Sequence, residues 1–386
     1  MKWVLDKTVL IGIHGNFNMP AYSLAGFDLD DTLIVSDVKK KVKDTVWTLK
    51  YDIIPVFKQL LKRDYQIVIF TNQLRLKNEA LELWKKKMDI LISKLDKVLE
   101  NFSTIIMCSL ADDSFRKPKK QSLVKLNKIL SSINNGYYLN IHHSFFCGDA
   151  GGRIKDNHYK QDFSDSDRCF AYNCDIMYFT PEYVFEHSSY FLNYLDFWVY
   201  GNNLSYGHPV DREFKFMRFD YRTFDYSGNL SDNVDEIHKA SAHKKMIILI
   251  GAPASGKSTI ANKIVGWVDI NQDTLKTKSK CLQLAKELLS KGEKIIISNT
   301  NVDDSARHPY EALVNKTDIL YVYINVDKLL SAHLNEIRGI FNGHKVPPVV
   351  IHTFFKKLSL PTNYLEIKFK LDWDRADNIM TFMSYL

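Results

Sequence analysis

A glycine-rich segment between a predicted strand and a predicted helix constrains the fold of this chain more than any other feature. It runs from Gly251 to Thr259, matches the pattern G-x-x-x-x-G-K-S/T, and directly follows the apolar run Met246–Ile250. Such a loop wraps main-chain N–H groups around phosphates, and the N-terminus of the next helix adds a favourable dipole. The second half of the chain is therefore predicted to be an α/β domain with a parallel sheet.

The residues predicted to bind ATP are Gly251, Ser255, Gly256, Lys257, Ser258 and Thr259. Lys257 would neutralise charge on the β- and γ-phosphates, and Ser258 would offer a hydroxyl to Mg²⁺. A buried carboxylate at Asp273 would take the proton of a hydroxyl that attacks the γ-phosphate, although Asp273 could instead cap a helix. Arg338, on a predicted helix, is the candidate for stabilising transition-state charge; a surface ion pair is the alternative.

Buried strands alternate with amphipathic helices in both halves of the chain, which predicts α/β units with parallel sheets. The predicted strands are Ser23–Leu29, Tyr65–Phe70, Thr104–Cys108, Ser144–Cys147, Met246–Ile250, Lys294–Ser298 and Ile319–Val326. The predicted helices are Asp52–Lys62, Lys77–Leu95, Gln121–Ile129 and Lys280–Ser290.

Two carboxylates separated by one residue, Asp28 and Asp30, stand where the first predicted strand ends. In a Mg²⁺-assisted phosphoryl transfer, one of them would attack phosphorus and the other would handle the leaving-group proton. A hard divalent cation is needed because carboxylates and phosphate repel each other. An ordinary acidic turn is the alternative interpretation.

Three later residues favour phosphoryl transfer over an ordinary acidic turn. Thr71 ends a buried strand, Lys117 lies on a loop, and Asp149 follows another strand. With the acids at Asp28 and Asp30, they resemble the four ordered motifs of the haloacid dehalogenase-like phosphatases. The resemblance implies that Asp28 is the nucleophile and Asp30 the general acid and base. It further implies that Thr71 and Lys117 bind the phosphoryl group, and that Asp149 holds Mg²⁺ with Asp28 and the Asp30 carbonyl.

The order of the two motif sets along the chain indicates one family among the many that carry either set alone. The segments 25–30, 70–73, 116–118, 148–153 and 162–171, with the P-loop, 271–275 and 299–301, resemble the polynucleotide kinase 3′-phosphatase family. The resemblance implies removal of 3′-phosphates and ATP-dependent phosphorylation of 5′-hydroxyls on nucleic-acid strand ends, with DNA favoured. It also implies Mg²⁺ and ATP as cofactors, and ligases or polymerases as the next enzymes to act, as in DNA repair. The resemblance implies only a supporting role at the phosphatase pocket for Asp167 and Arg168.

The chain departs from that family at several positions. Ser298 stands where an aspartate is expected, and Gln272 stands where an arginine commonly precedes the catalytic aspartate, so the kinase is the less secure activity. Asp31 replaces a common glycine. The phosphatase motif begins at residue 28, so no amino-terminal forkhead-associated domain is expected, and the stretch 190–215 looks expanded.

The length of 386 residues fits two domains, predicted as a haloacid dehalogenase-like Rossmannoid phosphatase at 1–225, a linker at 226–243 and a P-loop kinase at 244–386. The five cysteines include no CxxC pair, so reduced thiols are expected. We expect an intracellular monomer without a membrane segment. The net charge of +7 is compatible with an anionic polymer substrate without being diagnostic of one.

Two other functions fit the same motifs. One is a metabolic enzyme that phosphorylates and dephosphorylates a small molecule. The other is an end-binding protein that keeps its phosphatase but has an impaired kinase, as the serine at position 298 suggests. Nothing in the sequence separates DNA from RNA ends, or nicks and gaps from single strands.

Overall fold

In the computed structural model the chain forms two compact units, Met1–Met217 and Arg218–Leu386. The structure describes residues 1–17, 21–35, 47–74, 76–133, 138–155, 160–198, 214 and 217–372. Each unit is an α/β domain, which confirms the predicted fold class. Within these ranges, no helix is both long enough and apolar enough to cross a membrane.

The first unit is built on a seven-stranded sheet in the order β1-β2-β5-β4-β3-β6-β7. The strands are β1 Lys2–Asp6, β2 Val9–His14, β3 Ala21–Phe27, β4 Tyr65–Asn72, β5 Thr104–Ser109, β6 Tyr138–Cys147 and β7 Met177–Phe179. The strands β5, β4, β3, β6 and β7 are parallel, as expected. The sequence did not predict β1 and β2, which add an antiparallel edge because a two-residue turn at Lys7 (φ 57°) and Thr8 reverses the chain.

Helices of the first unit bury one apolar face each against this sheet. They are α1 Ile54–Leu61, α2 Asn78–Asp96, α3 Gln121–Ile133, α4 Ser166–Asn173, α5 Pro181–Phe185 and α6 Ser188–Trp198. In α2, for example, Trp84, Met88, Leu91 and Leu95 recur at helical spacing and are all buried. Because these helices pack on the sheet, the carboxyl ends of its parallel strands are held in fixed positions.

The second unit is built on a five-stranded parallel sheet in the order β12-β11-β8-β10-β9. Its strands are β8 Met246–Gly251, β9 Val268–Ile270, β10 Ile295–Ile297, β11 Ile319–Asn325 and β12 Leu365–Lys368. Its helices are α7 Leu230–Ala240, α8 Lys257–Lys263, α9 Gln272–Leu275, α10 Lys278–Ser290, α11 Asp304–Glu311, α12 Lys328–Asn342 and α13 Pro348–Lys357. The central strand β8 is buried at every residue, which explains its unbroken apolar sequence.

The boundary between the units differs from the predicted linker at 226–243. The units divide after Met217, and much of the predicted linker is the helix α7. A capping box at Asn229 starts this helix, and Leu230 and Ile237 are buried in the core of the second unit. In the stretch 190–215, which the sequence predicts to be expanded, residues 199–213 and 215 lie outside the described residues.

Candidate active sites

Four predicted phosphatase residues lie at one edge of the first sheet. Asp28 directly follows β3, Thr71 is near the end of β4, and Asp149 comes two residues after β6. Lys117 lies on the segment between β5 and α3. Because these strands are parallel, their carboxyl ends meet at the same edge and bring the side chains together.

The ammonium of Lys117 joins two carboxylates. Its Nζ lies 2.5 Å from Asp28 Oδ1 and 2.8 Å from Asp167 Oδ1. Asn72 holds the Lys117 main chain, accepting from its N–H at 3.0 Å and donating to its carbonyl at 3.1 Å. Burial disfavours the ammonium, but the charges of Asp167 and Asp28 outweigh this and raise the pKa of Lys117. Lys117 therefore stays charged at neutral pH.

Three acidic side chains beside Lys117 could hold a metal ion. Carboxylate oxygens of Asp28, Asp149 and Asp167 all lie within 4.8 Å of one another. Burial, helped by the neighbouring carboxylates, raises the pKa of Asp28 well above its ordinary value, and burial with Asp167 raises the pKa of Asp149 to about 7. This crowding of buried negative charge and the all-oxygen donor set fit Mg²⁺.

Asp30 lies next to this cluster, and its side chain has a separate partner. Gln73 Nε2 donates to Asp30 Oδ2 at 2.5 Å and to Thr71 Oγ1 at 3.0 Å. Burial raises the pKa of Asp30, which the Gln73 hydrogen bond opposes. An acid with a raised pKa suits proton transfer near neutral pH.

Asp167 takes a larger part in the site than its sequence suggested. Besides binding Lys117, its Oδ2 accepts from the Ala150 N–H at 3.0 Å. A Cβ at Gly148 would lie 2.3 Å from the same oxygen, so this close approach requires glycine. The segment 162–171 was singled out from the sequence, but the pairing with Lys117 depends on where α4 packs.

The aspartate at position 31 fits a backbone position that often carries glycine. Asp31 has a φ of 56°, in the left-handed region that aspartate tolerates better than most residues. Its N–H donates to Ile34 O at 2.8 Å, and its carbonyl accepts from Lys50 Nζ at 2.6 Å. The loop after the first acids is therefore stable without glycine there.

In the second unit the predicted P-loop joins β8 to α8 and borders a cavity of about 1000 Å³. Gly256 has a φ of 87°, and a Cβ at Gly251 would lie 2.6 Å from Ser255 Oγ, so both glycines are needed. Ser255, Gly256, Lys257, Ser258 and Thr259 all line the cavity. The strand–loop–helix context predicted for the motif is present.

Lys257 lies against its own loop. Its Nζ donates to Gly251 O at 2.8 Å and to Ala252 O at 2.7 Å. Burial lowers the pKa of Lys257 to about 7; Arg338 adds to the shift and Asp273 opposes it. A bound polyphosphate would favour the charged form of this lysine.

Asp273 and Arg338 line the same cavity as Lys257. The expectation of a buried carboxylate at Asp273 is wrong. Asp273 is exposed because it lies on the four-residue helix α9, which has no buried residue. The alternative role as a helix cap is wrong: Asn271 is the N-cap residue and accepts from Thr274 N–H at 2.9 Å.

The polar residues after β10 connect neighbouring strands and also line the cavity. Asn299 Oδ1 accepts from Gln272 N–H at 2.8 Å, and Asn301 Nδ2 donates to Leu249 O at 2.8 Å. Ser298 is 4% exposed, and its hydroxyl has no hydrogen-bond partner among the residues that the structure describes. The residue that stands in place of the expected aspartate therefore borders the cavity, and its hydroxyl is buried.

Comparisons with known proteins find relatives over nearly the whole chain. Residues 23–185 match the family described as polynucleotide kinase 3 phosphatase. The chain is 30% identical to a bifunctional polynucleotide phosphatase/kinase, so named, of Acanthamoeba polyphaga mimivirus, covering 100% of this chain and 91% of the relative. It is 28% identical to the bifunctional polynucleotide phosphatase/kinase of Schizosaccharomyces pombe, over 98% of this chain and 87% of the relative.

A third relative matches about half of the chain. A polynucleotide 3′-phosphatase of Arabidopsis thaliana is 32% identical over 49% of this chain and 27% of the relative. The full-length matches span both units and include the acidic cluster and the P-loop. The chain belongs to the family of bifunctional polynucleotide phosphatase/kinases.

Proposed function

We propose that the first unit removes 3′-phosphates from nucleic-acid strands and that the second phosphorylates 5′-hydroxyl ends with ATP. The observation that carries the proposal is the buried Lys117 between Asp28 and Asp167, beside Asp149, in a chain that also has a complete P-loop cavity. The family to which the chain belongs indicates a polynucleotide substrate. The acidic cluster with Lys117 supports the phosphatase reaction, and the P-loop cavity supports the kinase reaction.

In the phosphatase, Asp28 attacks phosphorus and the bond to the 3′-oxygen breaks, which leaves a phosphate on the aspartate. Asp30 gives its proton to the departing 3′-oxygen. Asp30 then takes a proton from water, whose oxygen attacks the same phosphorus and releases inorganic phosphate and free Asp28. Thr71 and Lys117 bind the phosphoryl oxygens, and Asp167 positions Lys117.

Asp28, Asp149 and the Asp30 carbonyl would hold Mg²⁺ at this site. When bound, the ion offsets the repulsion between the buried carboxylates and the phosphate. Asp167 belongs to the same cluster, but both its oxygens already accept hydrogen bonds, from Lys117 and Ala150. We therefore assign it to Lys117 rather than to the metal.

In the kinase, Asp273 accepts the proton of the 5′-hydroxyl, whose oxygen attacks the γ-phosphorus of ATP while the bond to ADP breaks. The exposed carboxylate of Asp273 at the cavity suits a base that must meet a large substrate. Lys257 and Arg338 stabilise phosphate charge, and Ser258 would be a ligand of a Mg²⁺ ion in the kinase site. The P-loop from Gly251 to Thr259 binds the ATP phosphates.

A protein with an active phosphatase and a weak kinase is the second candidate function. The supporting observation is that Ser298 borders the cavity with a buried hydroxyl and lacks the negative charge expected there. The retained Lys257, Ser258 and Asp273 favour an active kinase instead.

DNA ends at strand breaks are the proposed substrate. The products, a 3′-hydroxyl and a 5′-phosphate, are the ends that polymerases and ligases use, which would place the enzyme in repair. A metabolic kinase and phosphatase for a small molecule would instead process nucleoside phosphates in preference to strands.

The test uses a nicked DNA duplex with a 3′-phosphate and a 5′-hydroxyl, Mg²⁺ and γ-labelled ATP, with both ends resolved on a denaturing gel. We expect loss of the 3′-phosphate together with a labelled 5′ end. Loss of the 3′-phosphate alone would support the weak-kinase candidate. Unchanged ends, with turnover of a nucleoside 3′-phosphate run in parallel, would contradict the assignment to nucleic-acid strands.

A further inference from the structure

Phe163 is exposed beside the phosphatase site to an extent that is unusual for phenylalanine. It lies on the segment between β6 and α4, and 82% of it is accessible to solvent. The residues that follow turn inward: Asp165 and Asp167 are both buried. A large apolar side chain thus projects from a segment whose neighbouring acidic residues are buried.

The residues directly before and after Phe163 are both held by hydrogen bonds. On one side of Phe163, Asp162 N–H donates to Arg153 O at 3.1 Å, and its carboxylate accepts from Arg153 N–H at 3.0 Å and from Arg153 Nε at 2.8 Å. On the other side, Ser164 O accepts from Gly152 N–H at 3.0 Å. Both flanking residues are fixed, so the ring of Phe163 is directed outward by the fold.

The same bonds connect Phe163 to the reacting groups. Arg153, which binds Asp162, also donates through Nη2 to the Asp149 carbonyl at 2.9 Å. The carboxylate of Asp149 is part of the acidic cluster, and Asp167, four residues after Phe163, binds Lys117. The residues on both sides of Phe163 are therefore joined to the phosphatase site by hydrogen bonds.

We propose that Phe163 is a base-stacking platform for the nucleotides at the 3′ end of the strand, an inference that rests on the proposed 3′-phosphatase function. An exposed aromatic ring stacks on any base through its π-face, and one such contact changes affinity by about tenfold or more without sequence preference. The phosphoryl group would be held by the buried site while the adjoining base lies on the ring. The contact distinguishes a polynucleotide end from a phosphate ester that lacks a base.

The kinetic test compares two single-stranded oligonucleotides with a 3′-phosphate, one with normal 3′-terminal nucleotides and one whose last nucleotides lack bases. Phe163→Ala should raise KM about tenfold for the base-bearing strand, leave kcat unchanged, and leave both constants unchanged for the abasic strand. Phe163→Tyr should restore the wild-type KM. Tyr190→Ala, which removes another exposed aromatic on α6, is the matched control and should behave as wild type.

Fluorescence provides a readout that is independent of turnover. With 2-aminopurine as the 3′-terminal base, binding to the Asp28→Asn variant should quench emission through stacking, and adding Phe163→Ala should remove the quenching. Equal KM values for wild type and Phe163→Ala, or an equal loss on both strands, would overturn the platform while leaving the phosphatase assignment intact. Failure of the wild type to dephosphorylate either strand would overturn the 3′-phosphatase assignment and this inference with it.

Discussion

The two sites use a buried lysine in opposite ways. Lys117 contacts two carboxylates, and their charge raises its pKa in spite of burial. Lys257 contacts two main-chain carbonyls of its own loop, and burial lowers its pKa to about 7. The first lysine therefore has ionic partners within the fold, whereas among the described residues the ammonium of the second contacts uncharged oxygens.

This difference indicates which site is assembled before its substrate arrives. In the phosphatase, direct hydrogen bonds link Lys117, Asp28 and Asp167, and Gln73 holds Asp30. In the kinase, the corresponding groups line a cavity of about 1000 Å³. We infer that the phosphatase is preorganised and that nucleotide binding organises the kinase.

The largest effect that tests this comparison comes from Asp167→Asn. Without the second carboxylate Lys117 is less well positioned, and we expect phosphatase kcat/KM to fall by about 100-fold with kinase activity unchanged. The measurement is steady-state kinetics of both activities, with thermal denaturation to check folding. Asp175→Asn, at an exposed position just after α4, is the control and should have no effect. A fully active, folded Asp167→Asn variant would show that Lys117 does not need this partner.

A smaller effect is expected at Ser298, where a carboxylate would add charge beside the kinase cavity. Ser298→Asp should lower the Mg²⁺ concentration needed for half-maximal binding of a fluorescent ATP analogue by about tenfold, because a charged oxygen is a stronger partner for the ion than a hydroxyl. Ser290→Asp, on the exposed side of α10, is the matched control. An unchanged Mg²⁺ requirement would show that position 298 does not face the metal.

The smallest effect is the uptake of a proton at Lys257 when nucleotide binds. With a pKa of about 7 in the free protein, this lysine is mostly neutral at pH 8, and ADP phosphates raise its pKa on binding. Binding should therefore take up close to one proton at pH 8, and ADP affinity should fall as pH rises above 7. Calorimetry in two buffers of different ionisation enthalpy measures the uptake.

A matched variant checks that assignment. Lys257→Arg keeps its charge at every pH used and should bind ADP without proton uptake. Equal uptake in the wild type and in this variant would place the titrating group elsewhere.

The sequence was sufficient to predict the residues at the strand ends. Asp28, Thr71 and Asp149 follow apolar strands, and parallel strands bring their carboxyl ends to one edge. The Lys117–Asp167 pair could not be predicted from spacing, because it depends on the packing of α4 beside the segment between β5 and α3.

Two errors of interpretation have identifiable physical causes. The polar region around residue 230 was assigned to a linker, yet Leu230, Val234 and Ile237 have helical spacing after the capping residue Asn229. A buried carboxylate was expected at Asp273, shortly after the helix that follows the P-loop, but Asp273 lies on the four-residue helix α9, which has no buried residue.

The most direct test of the two-site account applies two single variants to the nicked duplex with a 3′-phosphate and a 5′-hydroxyl. Asp28→Asn should lose at least about 1000-fold of 3′-dephosphorylation and retain 5′-phosphorylation, because it removes only the nucleophile. Lys257→Ala should lose 5′-phosphorylation and retain 3′-dephosphorylation. Loss of both activities in either variant, with the protein still folded, would contradict the claim that two independent sites process the two ends.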